Sequence, residues 1–188
     1  MEISSRAVIT QIHGMLFGVF FLLLVFGMVV ELYRSSLAAH PSQLNVKGLS
    51  LQRFYLVLTT VVGWAAVLSG AYVVYPWYRA RPPVGANLVD YAQALLKSSP
   101  ATAGWHSLGM EWKEHVAWFG VIAITMAAVV LLQYGRSIRQ HPQIRRAVLG
   151  FVLVAFFATA VAGYFGAMLN KLAPVRGGAV YHWMEEGR

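Results

Sequence analysis

The chain has no cysteine. That excludes disulfides, thiolate metal sites, iron–sulfur clusters and covalent haem attachment through Cys-x-x-Cys-His. Any metal must be held by His, Met, carboxylate or backbone. Charge is scarce too: Asp, Glu, Lys and Arg supply 12% of the residues, against about 25% in an ordinary soluble domain. Walker, Gly-x-Ser-x-Gly, His-Glu-x-x-His and dinucleotide fingerprints are all missing, so nucleotide and hydrolytic chemistry has no support. The net charge of +8 does not point to nucleic acid. Lys and Arg gather at the ends of apolar segments, where cytoplasmic loops and anionic head groups account for them.

Apolar sequence is what the chain has in excess, at 58%. Four runs, at about 7–32, 54–78, 116–134 and 147–169, reach the roughly 20 residues that a bilayer crossing needs. The first resembles a signal peptide, but its apolar run is too long for an h-region, and it is read as a retained span. Backbone groups in lipid must pair internally, so each run is a predicted helix. The expected fold is an all-α integral membrane protein: one domain over residues 1–188, an up-down four-helix bundle. Residues 79–111 form the main excursion outside lipid, and 174–188 a short polar tail. Asn87 is expected to cap a surface helix through Lys97 that roofs one end of the bundle.

The chain also repeats itself. His13 opens HGMLFGV and His115 opens HVAWFGV, each at the start of an apolar run. Further landmarks recur in order: Tyr33-Arg34-Ser35 against Tyr134-Gly135-Arg136-Ser137, His40-Pro41 against His141-Pro142, and Arg53 with Gly70 against Arg146 with Gly163. Spans one and two therefore read as a duplicate of spans three and four, related by an axis along the membrane normal. Loops 34–53 and 135–146 hold seven Lys or Arg and no acidic residue. The positive-inside rule puts those loops in the cytoplasm and both termini on the outer, periplasmic side of a bacterial inner membrane.

An ionisable side chain inside a span is a functional candidate by default. Apart from Glu31 the four runs carry no acidic or basic residue, which argues against a proton-coupled transporter. His13 and His115 lie at similar depth on helices that are diagonal neighbours in an up-down bundle. Two neutral imidazoles facing each other could hold a haem iron, with Phe17 and Phe119 one turn deeper packing on the macrocycle. Lys113 and Arg79, with Arg6 and Lys171, lie at the level of haem propionates. The alternative for either His is a polar anchor at the membrane interface. His40 and His141 could hold a second haem, although their position before proline fits a turn better. His106 and His182 read as solvated loop residues, Glu111 and Glu114 as first-turn residues favoured by the helix dipole, and Tyr75, Trp77, Tyr78, Trp112 and Trp118 as an aromatic belt.

With four spans and a His pair on the first and third, the chain resembles the four-helix membrane b-type cytochromes. That resemblance implies a non-covalent haem b with His13 and His115 as axial ligands. It also implies electron transfer between a membrane quinone pool and a periplasmic or extracellular c-type cytochrome or a larger redox complex. The chain would then be an electron-transfer subunit rather than a self-contained enzyme. Its rivals are a cofactor-free structural or assembly subunit, a channel or transporter, and a chlorophyll-binding protein.

Overall fold

The computed structural model describes residues 2–37, 46–135 and 141–182. His40 and the Trp183-Met184 part of the tail lie outside the described residues. Four helices are long and apolar enough to cross a membrane: α1, Ser5–Tyr33; α2, Arg53–Tyr78; α4, Pro100–Tyr134; and α5, Pro142–Leu172. Between α2 and α4 sits the short helix α3, Ala92–Lys97.

The packing is that of an up-down ring. Helix α1 touches α2 and α5, and α4 touches the same two, which leaves α1 and α4 diagonal. The core is built from branched and aromatic side chains, among them Phe21, Val25, Leu56, Val121, Ile124 and Val152. Large apolar residues also point outward, including Met15, Leu23, Phe54 and Phe157. An apolar exterior around an apolar core is the pattern lipid contact demands. Helices α4 and α5 pack closest. A Cβ added at Gly120 would lie 2.7 Å from the Thr159 methyl, and Ala155 and Ala158 are buried on the facing stripe. Small residues let two backbones approach in this way.

The segment 79–111 is more ordered than expected. Asn87 does cap a turn, its Oδ1 accepting from the Val89 amide at 3.1 Å, but that turn is the 3-10 piece Leu88–Asp90. Helix α3 follows it, and buries Ala92 and Leu96 in a second cluster with Tyr78, Met110, Leu169 and Val175. Helix α4 then starts at Pro100, far upstream of the expected residue 116. Pro100 sits in the first turn, and the Ser99 hydroxyl accepts from the Ala101 amide at 3.3 Å. Both features favour helix initiation. At 1.5 Å per residue the 35-residue helix is about 52 Å long, well beyond a hydrocarbon core of about 30 Å. Its first turns therefore form a polar extension at the end that carries both termini.

That end is also closed by a ribbon absent from the sequence reading. Strand β1, Glu2–Ser4, pairs antiparallel with β2, Val180–His182. The chain turns into β2 through Gly177 and Gly178, at φ +104° and +83°. Side chains disfavour such angles.

Candidate functional site

Three π-helical segments, rare in proteins and frequent at functional sites, interrupt the long helices. They are Ile12–Val19 in α1, Gly70–Val74 in α2 and Trp112–Val116 in α4. His13, Gly70, Lys113 and His115 all fall within them.

His13 lies on the core side of α1. Its side chain is partly buried there, turned towards α2. Its Nδ1 is 3.0 Å from Ser69 Oγ, and the Ser69 hydroxyl donates to the Ala66 carbonyl at 3.2 Å. A serine has a single proton to give. Neutral His13 therefore donates from Nδ1, and its Nε2 keeps a lone pair. The ring lies flat on Gly70, where an added Cβ would come 2.7 Å from His13 Cε1. Lys113 reaches across the interior to α5, its Nζ 3.0 Å from where a Gly166 Cβ would be. All four long helices thus contribute: His13, Ser69 with Gly70, Lys113, and Gly166. Among the described residues the ion pairs are His115–Glu111 and His182–Glu2, so no carboxylate neutralises Lys113.

His115 takes the opposite face. Its side chain is 66% exposed, and Nδ1 sits 3.1 Å from the Glu111 carbonyl and 3.3 Å from the Glu111 carboxylate. Phe119 is 64% exposed, and Ile122 and Met126 continue the outward stripe. Phe17 is half-buried. The structure therefore does not bring His13 and His115 together. On α4 the side chain that turns inward is Lys113, its Nζ against Gly166 of α5. The His pair of one chain does not fit a single iron clamped across the core, since only one of the two rings is inside.

A second polar group forms at the termini end, beside α3. Tyr75 donates to Glu114 Oε1 at 2.7 Å, and Arg79 Nη1 donates to the Tyr75 oxygen at 2.7 Å, with its guanidinium stacked over the Tyr75 ring. Arg79 thus serves a tyrosine–glutamate link. Tyr78 Oη is 2.6 Å from His106 Nδ1, and the two rings stack with centroids 5.9 Å apart. His106, expected as a solvated loop residue, is instead buried at 7% exposure on the extension of α4. Tyr78 is likewise buried rather than part of an interfacial belt, and Glu114 lies well inside a helix rather than in its first turn. These groups, with Lys97 and Glu111, line a cavity of about 270 Å³. His141 flanks Pro142 at the start of α5, and His182 is paired with Glu2 in the terminal ribbon. Among the described residues no group of three or more His, Asp or Glu could hold a metal ion.

No protein-family model matches the chain, nor does any curated protein or solved structure. Function is therefore argued from the site alone.

Proposed function

We propose that the chain is an integral-membrane electron-transfer subunit that works at the quinone pool, with His13 and Lys113 gripping the quinone head group. One observation carries this reading: an imidazole nitrogen that keeps its lone pair and the Lys113 amine, laid against Gly166 of α5, both come from π-helical segments of α1 and α4. A lysine amine turned between helices at the end of an apolar run is rare without a partner or ligand, which a mere scaffold has no reason to provide. The two groups are chemically complementary to the ligand. A quinone carbonyl accepts from the Lys113 ammonium, and a quinol hydroxyl donates to His13 Nε2. On this reading the four helices span a bacterial inner membrane with both termini in the periplasm. The hairpin duplication supplied two copies of one motif, of which one became the site. Electrons pass to a one-electron acceptor on a partner, a c-type cytochrome or a larger redox complex.

Haem b on His13 is the second reading. It is favoured by the Nδ1 anchor on Ser69, since a ring oriented in this way leaves Nε2 free for iron. It differs from the resemblance drawn from sequence in giving His115 no part.

The protein purified from native membranes separates these readings. Extraction should yield bound quinone at close to one per chain, lost in His13→Ala. A sharp reduced band in the visible spectrum, lost in the same variant, selects haem instead. Neither quinone nor haem leaves the cofactor-free assembly subunit standing.

A further inference from the structure

The cavity beside α3 has no part in holding the head group, yet it holds an organised set of proton-carrying side chains. We infer that it is the proton port of the His13 site, where Glu114 and His106 exchange protons with the aqueous phase and Tyr78 positions the His106 ring. The inference rests on the quinone reading and adds to it the route by which protons leave.

The argument starts from mass balance. Oxidising a quinol breaks two O–H bonds. It releases two electrons, taken by the one-electron acceptor of the partner, and two protons that must reach water. His13 Nε2 can take one proton at a time, and Ser69, which already accepts from Nδ1 and donates to the Ala66 carbonyl, cannot pass that proton on. Glu114 directly follows Lys113 on α4, and Tyr75 lies five residues beyond Gly70 on α2, about 7 Å along the axis. The cavity thus begins roughly one turn from the head-group site, towards the termini.

Its lining suits transfer rather than ligand capture. Charges balance, with Arg79 and Lys97 against Glu111 and Glu114, so neither an anion nor a cation is selected. At about 270 Å³ it has room for several waters of about 30 Å³ each, and it offers the polar partners they need. Arg79 and Tyr75 fix the Glu114 carboxylate, and Tyr78 fixes His106 through Nδ1, which leaves Nε2 as the exchanging atom. The charged groups near His106 are Lys97 from α3, Arg79 just after α2 and Glu114 from α4. A carboxylate and an imidazole on one small water body are the usual parts of a proton relay.

The test uses the complex purified from native membranes, with a short-chain ubiquinol and ferricyanide as electron acceptor. Glu114→Gln and His106→Gln should each slow turnover at saturating quinol by about tenfold or more, as the loss of a general base does. KM and bound quinone should stay unchanged. Glu114→Asp should restore most of the rate with a shifted pH profile, a response that a purely structural role would not give. Bound quinone with wild-type turnover and pH profile in both Gln variants overturns the port and leaves the head-group reading intact. Absence of bound quinone from the wild type overturns both.

Discussion

His13 and His115 open two heptapeptides of the same His-x-x-x-Phe-Gly-Val pattern, the first lying wholly in a π-helical segment and the second only through His115 and Val116, and the two imidazoles ended on opposite faces. Each ring is tied through Nδ1, to Ser69 Oγ in one case and the Glu111 carbonyl in the other. Only the second tie is local, four residues back on the same helix. The first crosses to a neighbouring helix and buries the ring. A shared motif therefore leaves open which way the side chain looks. That direction depends on the phase of the motif relative to the apolar stripe of its helix. On α4 nine residues, or about 900°, separate His115 from core residue Ile124, which puts them half a turn apart.

The strongest way to break the comparison is to truncate each ring. His13→Ala removes a hydrogen bond to a charged or polar head group, worth about 1.5–3 kcal/mol, so quinone affinity should fall by at least about tenfold. His115→Ala removes an exposed ring and should leave affinity within about twofold, since exposed ion pairs such as His115–Glu111 contribute about 0–1 kcal/mol. Bound quinone measured on both purified variants decides it. Equal losses would mean that the outward ring also belongs to the site.

The glycines paired by the repeat sharpen the same contrast. Gly70→Ala puts a methyl 2.7 Å from His13 Cε1 and must displace the ring. Its counterpart Gly163 has only the Leu22 methyl near, at 3.9 Å, so Gly163→Ala should be silent for binding and neutral to slightly stabilising. We expect Gly70→Ala to weaken quinone binding about fivefold to tenfold, the loss of a misaligned hydrogen bond. Equal affinity in Gly70→Ala and Gly163→Ala would remove the argument that Gly70 makes room for the imidazole.

What was readable from sequence follows the same division. Four apolar runs and their lengths gave the four helices, because burying backbone polar groups is a constraint that composition alone expresses. The ring order followed from the up-down arrangement expected of four successive spans. The extension of α4 was not read, since Trp105, His106 and Met110 carry too little apolar periodicity to stand out, although Ser99-Pro100 was a legible start signal. Lys113 was assigned to haem propionates at the surface. Its inward direction is not announced by the α-helical stripe of Gly120, because the π-helical segment Trp112–Val116 shifts the phase between them. The Tyr78–His106 contact joins residues 28 apart across a loop, and no local pattern announces it.

Packing provides a third test, expected to act on stability and not on the site. Gly120→Ala drives a methyl into Thr159 Cγ2 and against Ala158, in the closest helix pair, where overpacking costs about 1–3 kcal/mol. Gly150→Ala on α5 meets nothing within 4 Å and should gain up to about 1 kcal/mol from helix propensity. Thermal unfolding in one detergent should therefore rank Gly150→Ala above wild type and Gly120→Ala below it. The reverse order would mean that α4 and α5 do not meet at these residues.

The smallest effect concerns how the two heptapeptides are introduced. Helix α1 begins at Ser5 with the Ser4 hydroxyl accepting from the Ala7 amide, eight residues before His13. Helix α4 begins at Ser99-Pro100, fifteen residues before His115. The extra turns carry His106, which lines the cavity. Removing a cap of this kind costs about 1 kcal/mol. Ser99→Ala should lower the unfolding midpoint by a few degrees at most, yet fray the turns that hold Trp105 and His106. Hydrogen exchange should accordingly speed up at the amides of residues 102–106 and stay unchanged in the Ile12–Val19 segment. Ser4→Ala should do the converse, loosening the start of α1 beneath the terminal ribbon while the cavity stays protected. Matching exchange patterns in the two variants would show that the ends of α1 and α4 open together, and that the port is not an independent unit built onto the second copy.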